Sequence, residues 1–251
     1  MFPDERRFKI LKLIEEKGFL SLQEIVERVG TSESTVRRDL DYLDGVSQIR
    51  RTRGGAAYIG DSLTAFEDRR HESLQQKEQI AKTVAKLIDP GEAVLLDGGT
   101  TTLEVAKKLI GMSLHVVTNS VPIVNLLINQ PNIELIVIGG FVYPKTGVAL
   151  GPLAVKALSG IHVRRLIMSA GGITEAGLFN SNSLLVETER QMIKAAEEVV
   201  VVSDSGKLGH SALAHLCSLN VVKRLVVDDG ISAEWQNIIQ HAGVELTIAD
   251  G

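Results

Sequence analysis

Residues 32–56 read SESTVRRDLDYLDGVSQIRRTRGGA, and this stretch decides the first half of the fold. Thr31 or Ser32 can cap a helix in which Val36, Leu40 and Leu43 form one apolar stripe. At about 100° per residue, Ser34, Arg37, Arg38 and Asp41 then point away from that stripe. Working back toward the N-terminus, Ser21-Leu22-Gln23-Glu24 is an S-x-x-E capping box. It opens a helix carrying Ile25 and Val29 that stops at Gly30. A first helix runs from Asp4 to Lys17, with Phe8, Leu11 and Ile14 at helical spacing and Gly18 closing it. Two helices joined by the turn Gly30-Thr31-Ser32 make a helix-turn-helix, whose second helix can enter a major groove. After it, Ile49-Arg50-Arg51-Thr52-Arg53 runs into Gly54-Gly55, which predicts a small hairpin or wing.

The charge distribution supports a nucleic-acid partner more than its sum does. The chain of 251 residues carries a net charge of −4. Residues 1–60 hold 11 basic and 10 acidic residues, whereas the remainder holds 16 and 21. Five arginines, Arg37, Arg38, Arg50, Arg51 and Arg53, crowd into 17 positions, against Asp39, Asp41 and Asp44. Phosphate contacts depend on local charge, and the planar guanidinium fork suits guanine acceptors and phosphates alike. Ser34, Thr35, Arg37 and Arg38 are therefore the candidate base-reading residues, and Arg50, Arg51 and Arg53 the candidate wing contacts. A plain three-helix bundle with a solvated charged face competes, and the arginines directly after the third helix weigh against it.

Composition is that of a globular chain, with 44% hydrophobic and 23% charged residues. One cysteine, Cys217, excludes an internal disulfide framework and fits a reducing compartment. The N-terminus has no apolar run behind Arg6 and Arg7, and no segment approaches the roughly 20 apolar residues of a membrane helix. The expectation is a soluble cytoplasmic protein with no membrane partner. Residues 1–58 form the first domain, the polar stretch 59–76 a linker, and 77–251 a larger second domain. In that domain, apolar runs alternate with helical stretches: Val94–Asp97, Val116–Thr118, Leu135–Ile138, Leu166–Met168, Val199–Val202, Leu225–Val227 and Val244–Ile248. Such alternation predicts βαβ units around a largely parallel sheet.

The ends of these runs carry the chemistry. Asp97-Gly98-Gly99-Thr100-Thr101-Thr102 joins a strand to a helix, and a glycine turn at a helix start exposes N–H groups to an anion. An N-capping threonine in a tight turn reads equally well. The loop lacks the G-x-x-x-x-G-K of a nucleotide-hydrolysing loop. Other runs end in Thr118-Asn119-Ser120, Gly139-Gly140, Ser169-Ala170-Gly171-Gly172 and Asp204-Ser205-Gly206-Lys207. Ligands of open α/β sheets sit beyond the strands' carboxyl ends, so a small polar pocket is expected there. Asn119 suits a hydroxyl and Lys207 an anion, although an N-cap and a solvated loop charge explain them too. Glu187 and Glu189 stand near the pocket mouth, at least one as a solvated helix residue. His210 and His215 lie five apart and share no helical face, and no metal site or cofactor is expected.

These motifs together resemble the DeoR family of bacterial transcriptional regulators. The match lies in Glu5-Arg6, Glu16-Lys17-Gly18, Ser32 to Leu40 and Ile49 to Ala56, and then in Leu96 to Thr102, Thr118-Asn119-Ser120, Gly139-Gly140 and Asp204 to Lys207. The resemblance implies a winged helix-turn-helix joined to a parallel-sheet α/β domain similar to ribose-5-phosphate isomerase. It implies a homo-oligomeric repressor of sugar or polyol catabolism genes, dimer or tetramer, that binds double-stranded operator DNA and is released by a phosphorylated sugar. Carried over, Asp97, Gly99, Thr100, Thr101 and Thr102 bind the effector's phosphate, and Asn119, Gly140, Gly172 and Lys207 line the rest of the pocket. Arg53 stands where the family has histidine, Ser47 where it has glycine, and Gly206 where it has serine or threonine. The alternative, an isomerase with an added DNA-binding domain, lacks the D-G-x-D-E-x-D run of those enzymes; the corresponding stretch is Gly171-Gly172-Ile173-Thr174-Glu175. No catalytic residue is therefore expected.

Overall fold

The computed structural model describes residues 3–45, 49–52, 54–58, 66–144 and 146–249. Its N-terminal part consists of α1 (Pro3–Lys17), β1 (Phe19–Ser21), α2 (Leu22–Val29), α3 (Glu33–Gly45), β2 (Ile49–Arg51) and β3 (Gly55–Tyr58). The capping box forms as its sequence requires: the Glu24 N–H donates to Ser21 Oγ, and the Ser21 N–H donates to Glu24 Oε2 at 2.9 Å. Gly30, at φ 72°, ends α2 in a left-handed conformation that other residues adopt at a cost. Ile10, Ile14, Ile25, Val36, Leu40, Leu43 and Ile49 bury together, which fixes α3 with its polar face outward. The wing has three strands in the order β1-β3-β2, all antiparallel. Its third strand, β1, goes beyond the expected hairpin, because three residues between two helices leave no periodic signal. Gly55 is required by close approach, since a Cβ there would collide with the Leu20 carbonyl. Arg53 and Ser47 lie outside the described residues, as does the stretch 59–65.

The second part begins earlier than its apolar alternation. α4 (Phe66–His71) and α5 (Leu74–Ala85) occupy described residues of the stretch read as linker. Seven parallel strands follow: β4 (Ala93–Leu96), β5 (Leu114–Thr118), β6 (Ile133–Val137), β9 (Val163–Met168), β12 (Ala196–Ser203), β14 (Arg224–Asp228) and β15 (Glu245–Ala249). They contain the seven apolar runs, except that Asp97, Ile138 and Val244 fall just outside their strands. The order is β15-β14-β12-β9-β4-β5-β6. The chain therefore builds outward from β4 to β6, returns to β9 on the other side of β4, and builds outward again. The switch point lies between β4 and β9, where a crevice opens beyond the strand ends.

Burial on both faces explains why these strands read as continuous apolar runs. Leu95, Val117, Leu166, Val201 and Val227 face one layer, which includes α8 (Pro152–Leu158), α9 (Ser183–Lys194) and α10 (Ala233–His241). Val94, Leu96, Val116, Ile167 and Val202 face the other, with α5, α6 (Thr100–Lys108) and α7 (Val121–Leu127). Two smaller antiparallel units add to the expected sheet: the hairpin β7 (Phe141–Tyr143) with β8 (Val148–Leu150), and the sheet β10 (Gly172–Thr174), β11 (Gly177–Asn180), β13 (Ala214–Cys217). Both lie at the carboxyl end of the parallel sheet.

Candidate effector pocket and DNA-facing surface

The pocket grows from the switch point. Asp97 follows β4, and its N–H donates to the Ile167 carbonyl at 3.0 Å, holding the loop against β9. Gly98 and Gly99 are glycines because the loop is pressed between neighbours: a Cβ on Gly98 would collide with Val148 of β8, and one on Gly99 would sit 2.6 Å from Ser169 Oγ. The Thr102 hydroxyl donates to the Gly99 carbonyl at 2.9 Å, closing the first turn of α6. Beside this loop, the Asn119 amide donates to the Ala149 carbonyl at 3.0 Å, and the Ala149 N–H returns to the Asn119 carbonyl at 2.8 Å. The β7–β8 hairpin thus clamps the end of β5. Lys207 reaches in from the 3-10 turn Ser205–Lys207, with Nζ 3.3 Å from the Ala170 carbonyl.

Two acids and two amides converge on the same space. Asn180 Nδ2 donates to Glu189 Oε1 at 2.7 Å, and both side chains are buried. Burial lifts the Asp97 carboxyl to about 7, against the pull of the backbone N–H groups of Gly98 and Ser169. Burial also pushes Glu189 well above the usual carboxylate range, and the neighbouring Asp97 charge adds to it. Asp97 Oδ1, Asn119 Oδ1, Ser120 Oγ, Thr146 Oγ1, Ser181 Oγ and Glu189 Oε2 are each buried without a hydrogen-bond partner. Folded proteins rarely leave such atoms unpaired, so six of them at one end of a sheet mark a place built for polar company. Of these residues, Thr146 and Glu189 stand in the wall of a cavity of about 30 Å³, otherwise lined by Arg69, Gly98, Ser169, Ala170, Gly171, Asn180, Leu185 and Lys207.

The sequence-derived pocket residues take different places relative to this cavity. Lys207 stands in the cavity wall, Asp97 and Gly99 flank the wall residue Gly98 and are buried, Asn119 is buried at the end of β5, and Thr100, Thr101 and Thr102 are buried at the start of α6. Gly140 instead packs against β8 and α8, where a Cβ would stand 2.7 Å from the Leu150 carbonyl. Gly172 lies within β10 against the His210 main chain, and the wall is Gly171, one residue earlier. Of the two glutamates, Glu187 is exposed and Glu189 is buried. The spacing Leu185, Glu189, Met192 places Glu189 on the buried stripe of α9, a helical phase that the sequence itself carries. Arg69, Thr146 and Asn180 carry no such signal, since each arrives from a segment without a motif. Among the described residues no group of three or more His, Cys, Asp or Glu is placed to hold a metal ion.

On the N-terminal part, Ser34, Arg37, Arg38 and Arg50 are exposed, and Thr35 and Arg51 are half-buried. Ser32 Oγ accepts from the Thr35 N–H at 3.4 Å and lies 2.8 Å from its hydroxyl, so it is the α3 cap. The Arg37 guanidinium bonds Glu33 at 2.7 Å one turn back, and that of Arg51 pairs with Asp41. The Arg51 N–H also donates to Asp44 Oδ1 at 3.0 Å, which ties the wing to α3. Asp39, counted against the arginine cluster in the sequence, is turned inward: it is 1% exposed and bonded by Arg6 and Arg7 of α1. The outer face is therefore more basic than the local charge count.

Residues 6–61 match the DeoR-like helix-turn-helix domain, and residues 72–229 match the DeoR C-terminal sensor domain. A transcriptional regulator of Listeria innocua, GolR, is 32% identical over 100% of both chains. The transcriptional repressor GlcR of Bacillus subtilis is 28% identical over 100% of this chain and 98% of its own length. Among solved structures, ribose 5-phosphate isomerase A of Methanocaldococcus jannaschii aligns with a TM-score of 0.41 and 18% identity, covering 55% of each chain.

Proposed function

The chain belongs to the DeoR family of transcriptional regulators, and from that premise we propose that it is a repressor of sugar or polyol genes released by a phosphorylated sugar. The observation that carries the effector reading is the cavity at the sheet's switch point. Lys207 supplies positive charge in its wall, Thr146 and Glu189 bring unpartnered polar atoms to it, and Asp97 and Asn119 hold buried acceptors at the adjoining strand ends. A phosphate monoester suits the cation, and the sugar hydroxyls suit the acceptors. Family resemblance supports Thr100, Thr101 and Thr102 at the start of α6 as a further phosphate contact. On the DNA side, the exposed Arg37 and Arg38 support a base-reading role for α3, and Arg50 and Arg51 a backbone role for the wing. The isomerase reading has less to stand on: Glu175, the one acid in the stretch that corresponds to the isomerase run, is exposed on the β10–β11 turn and is absent from the cavity wall.

An effector acts only through a difference in its affinity for the DNA-bound and DNA-free forms. Typical coupling of about 1–3 kcal/mol loosens DNA roughly 5- to 150-fold. The test is a thermal-shift panel of pentose and hexose monophosphates on the full chain, followed by operator affinity with and without the stabilising ester. Thr101→Val and Lys207→Met are expected to lose that response. Identical responses in both variants and the wild type would remove the cavity as the effector site.

A further inference from the structure

The outer face of α3 carries a row of alternating charge. Glu33, Arg37 and Asp41 stand about one turn apart along it, and all three are exposed. Asp41 is taken up by Arg51 of the wing. Glu33 is taken up by Arg37: Nε and Nη2 of the guanidinium both donate to Glu33 Oε1, at 2.9 and 2.7 Å. Arg38, one residue on, is exposed and, like Arg50, is held in no ion pair among the described residues. The helix therefore presents two neighbouring arginines of different kinds, one buttressed by an acid and one not.

Stability does not account for Glu33. An exposed pair one turn apart on a helix contributes little. Moreover, α3 is already capped by Ser32 and packed through Val36, Leu40 and Leu43. For DNA binding the acid is a handicap when taken alone. In a helix-turn-helix the N-terminal end of the second helix reaches base edges, and a carboxylate brought there meets the negative field of the phosphates.

What Glu33 contributes is direction. A guanidinium offers five N–H groups in a planar fork. With Nε and one Nη2 hydrogen turned to Glu33, the plane is set, and the end of the fork, Nη1 with the second Nη2 hydrogen, stays unengaged by the acid. That end matches the O6 and N7 acceptors of guanine, which are uncharged. A phosphate several ångströms away instead meets two opposite charges only 2.7 Å apart, whose fields nearly cancel.

We propose that Glu33 is a specificity-determining residue that acts through Arg37: it orients the guanidinium toward a base edge and cancels its pull on phosphates. The helix thereby gains discrimination for guanine and loses affinity for DNA in general. This rests on the base-reading role given to α3 above and is independent of any effector. Specificity is a difference of affinities, so an element that weakens binding to the wrong duplex serves it as well as one that strengthens binding to the right one.

The experiment uses the full chain, an operator duplex selected by the wild-type protein from a random pool, and an unrelated duplex of the same length. Glu33→Gln keeps the length of the side chain and removes its charge. It is expected to tighten binding to the unrelated duplex about threefold or more and to steepen its salt dependence toward one further phosphate contact. The ratio of operator to unrelated affinity is expected to fall about tenfold, within the range of one bidentate base contact. Sequences that the variant selects from the same pool should lose a guanine preference at one position, the position at which Arg37→Ala loses it as well. In the Arg37→Ala background, Glu33→Gln should leave the ratio unchanged, because the residue it acts through is gone. Glu33→Asp, one methylene shorter, is expected to fall between Glu33→Gln and the wild type. A wild-type ratio in Glu33→Gln, or a fall as large without Arg37 as with it, overturns the proposal while the base-reading role of Arg37 stands. If Arg37→Ala itself leaves the ratio and the selected sequences unchanged, that role fails and this proposal with it. Should Glu33→Gln not fold, Glu33→Asp decides by the same ratio.

Discussion

Asp97 is a carboxyl whose environment sets a measurable pH dependence. Its ordinary value of 3.8 rises to about 7 in the fold, chiefly because burial penalises the charged form. The native state therefore holds this proton more tightly than the unfolded chain does. Its contribution to stability is fully present below about 3.8, falls as pH rises, and is gone above about 7. Glu189 is shifted in the same direction by burial and by Asp97, so the two acids act with one sign. Asp97→Asn keeps an oxygen for the Gly98 and Ser169 N–H groups and removes the titration. We expect the variant to gain stability relative to the wild type between pH 5 and 8, on the order of 1–3 kcal/mol at the upper end. Denaturant melts across that range check it. Parallel stability curves for the two proteins would mean that Asp97 stays an ordinary carboxylate.

At the level of elements, the proposed function gives α3 and the wing different kinds of contact. Arg38 is exposed on the outer face of α3, so Arg38→Ala is expected to weaken specific operator binding by ~1–3 kcal/mol for each base edge that the guanidinium reads. Arg51 is anchored through its N–H to Asp44, and with the proposed backbone role Arg51→Ala is expected to weaken all sequences alike and to reduce the salt slope by about one. Mobility shifts at several salt concentrations, on operator and on unrelated duplex, separate the two effects. Equal weakening on both duplexes for Arg38→Ala would mean that α3 does not read bases. The elements behind this contrast are legible in sequence because each has a local cause. Ser21 and Glu24 make a box, Gly30 ends a helix, and β-branched runs buried on both faces make seven strands. The elements that escape such reading have none: β7, β8, β10 and β13 are three or four residues long and exist through their partners. The pocket divides the same way. The loop 97–102 is legible because its glycines are needed for close approach to Val148 and Ser169. Arg69 and Asn180 are not, because only tertiary structure brings α4 and β11 to the strand ends.

For the whole molecule the open question is symmetry, and the parallel sheet suggests where to look. A single helix-turn-helix contacts few base pairs, and specific binding uses two heads on half-sites spaced by whole turns of DNA. The exposed large apolar residues of the sensor domain include a group at one edge of its sheet. In the described residues β6 is an edge strand with unpaired backbone groups, and proteins ordinarily blunt such an edge with charge or cover it. Here Glu134 is the charge on β6, paired with His115, while Ile136 and Val137 of β6, Phe141 and Val142 of β7, and Ile128 after α7 are all exposed, Phe141 by 60% and Ile128 by 62%. Exposed large apolar side chains clustered on and beside an edge strand are a feature of interaction sites. A second copy is the fitting occupant, because an antiparallel β6–β6 pairing satisfies both edges at once and is isologous by construction. We expect the full chain to be at least a dimer at micromolar concentration, and Ile136→Lys with Phe141→Lys to make it a monomer. Because the second head then no longer binds at the effective concentration that linkage supplies, operator affinity should fall on the order of 10²- to 10⁴-fold, with single half-site affinity preserved. Light scattering and half-site titrations read the two effects separately. A wild-type monomer, or a doubly substituted protein that remains a dimer, would place the symmetry axis away from β6.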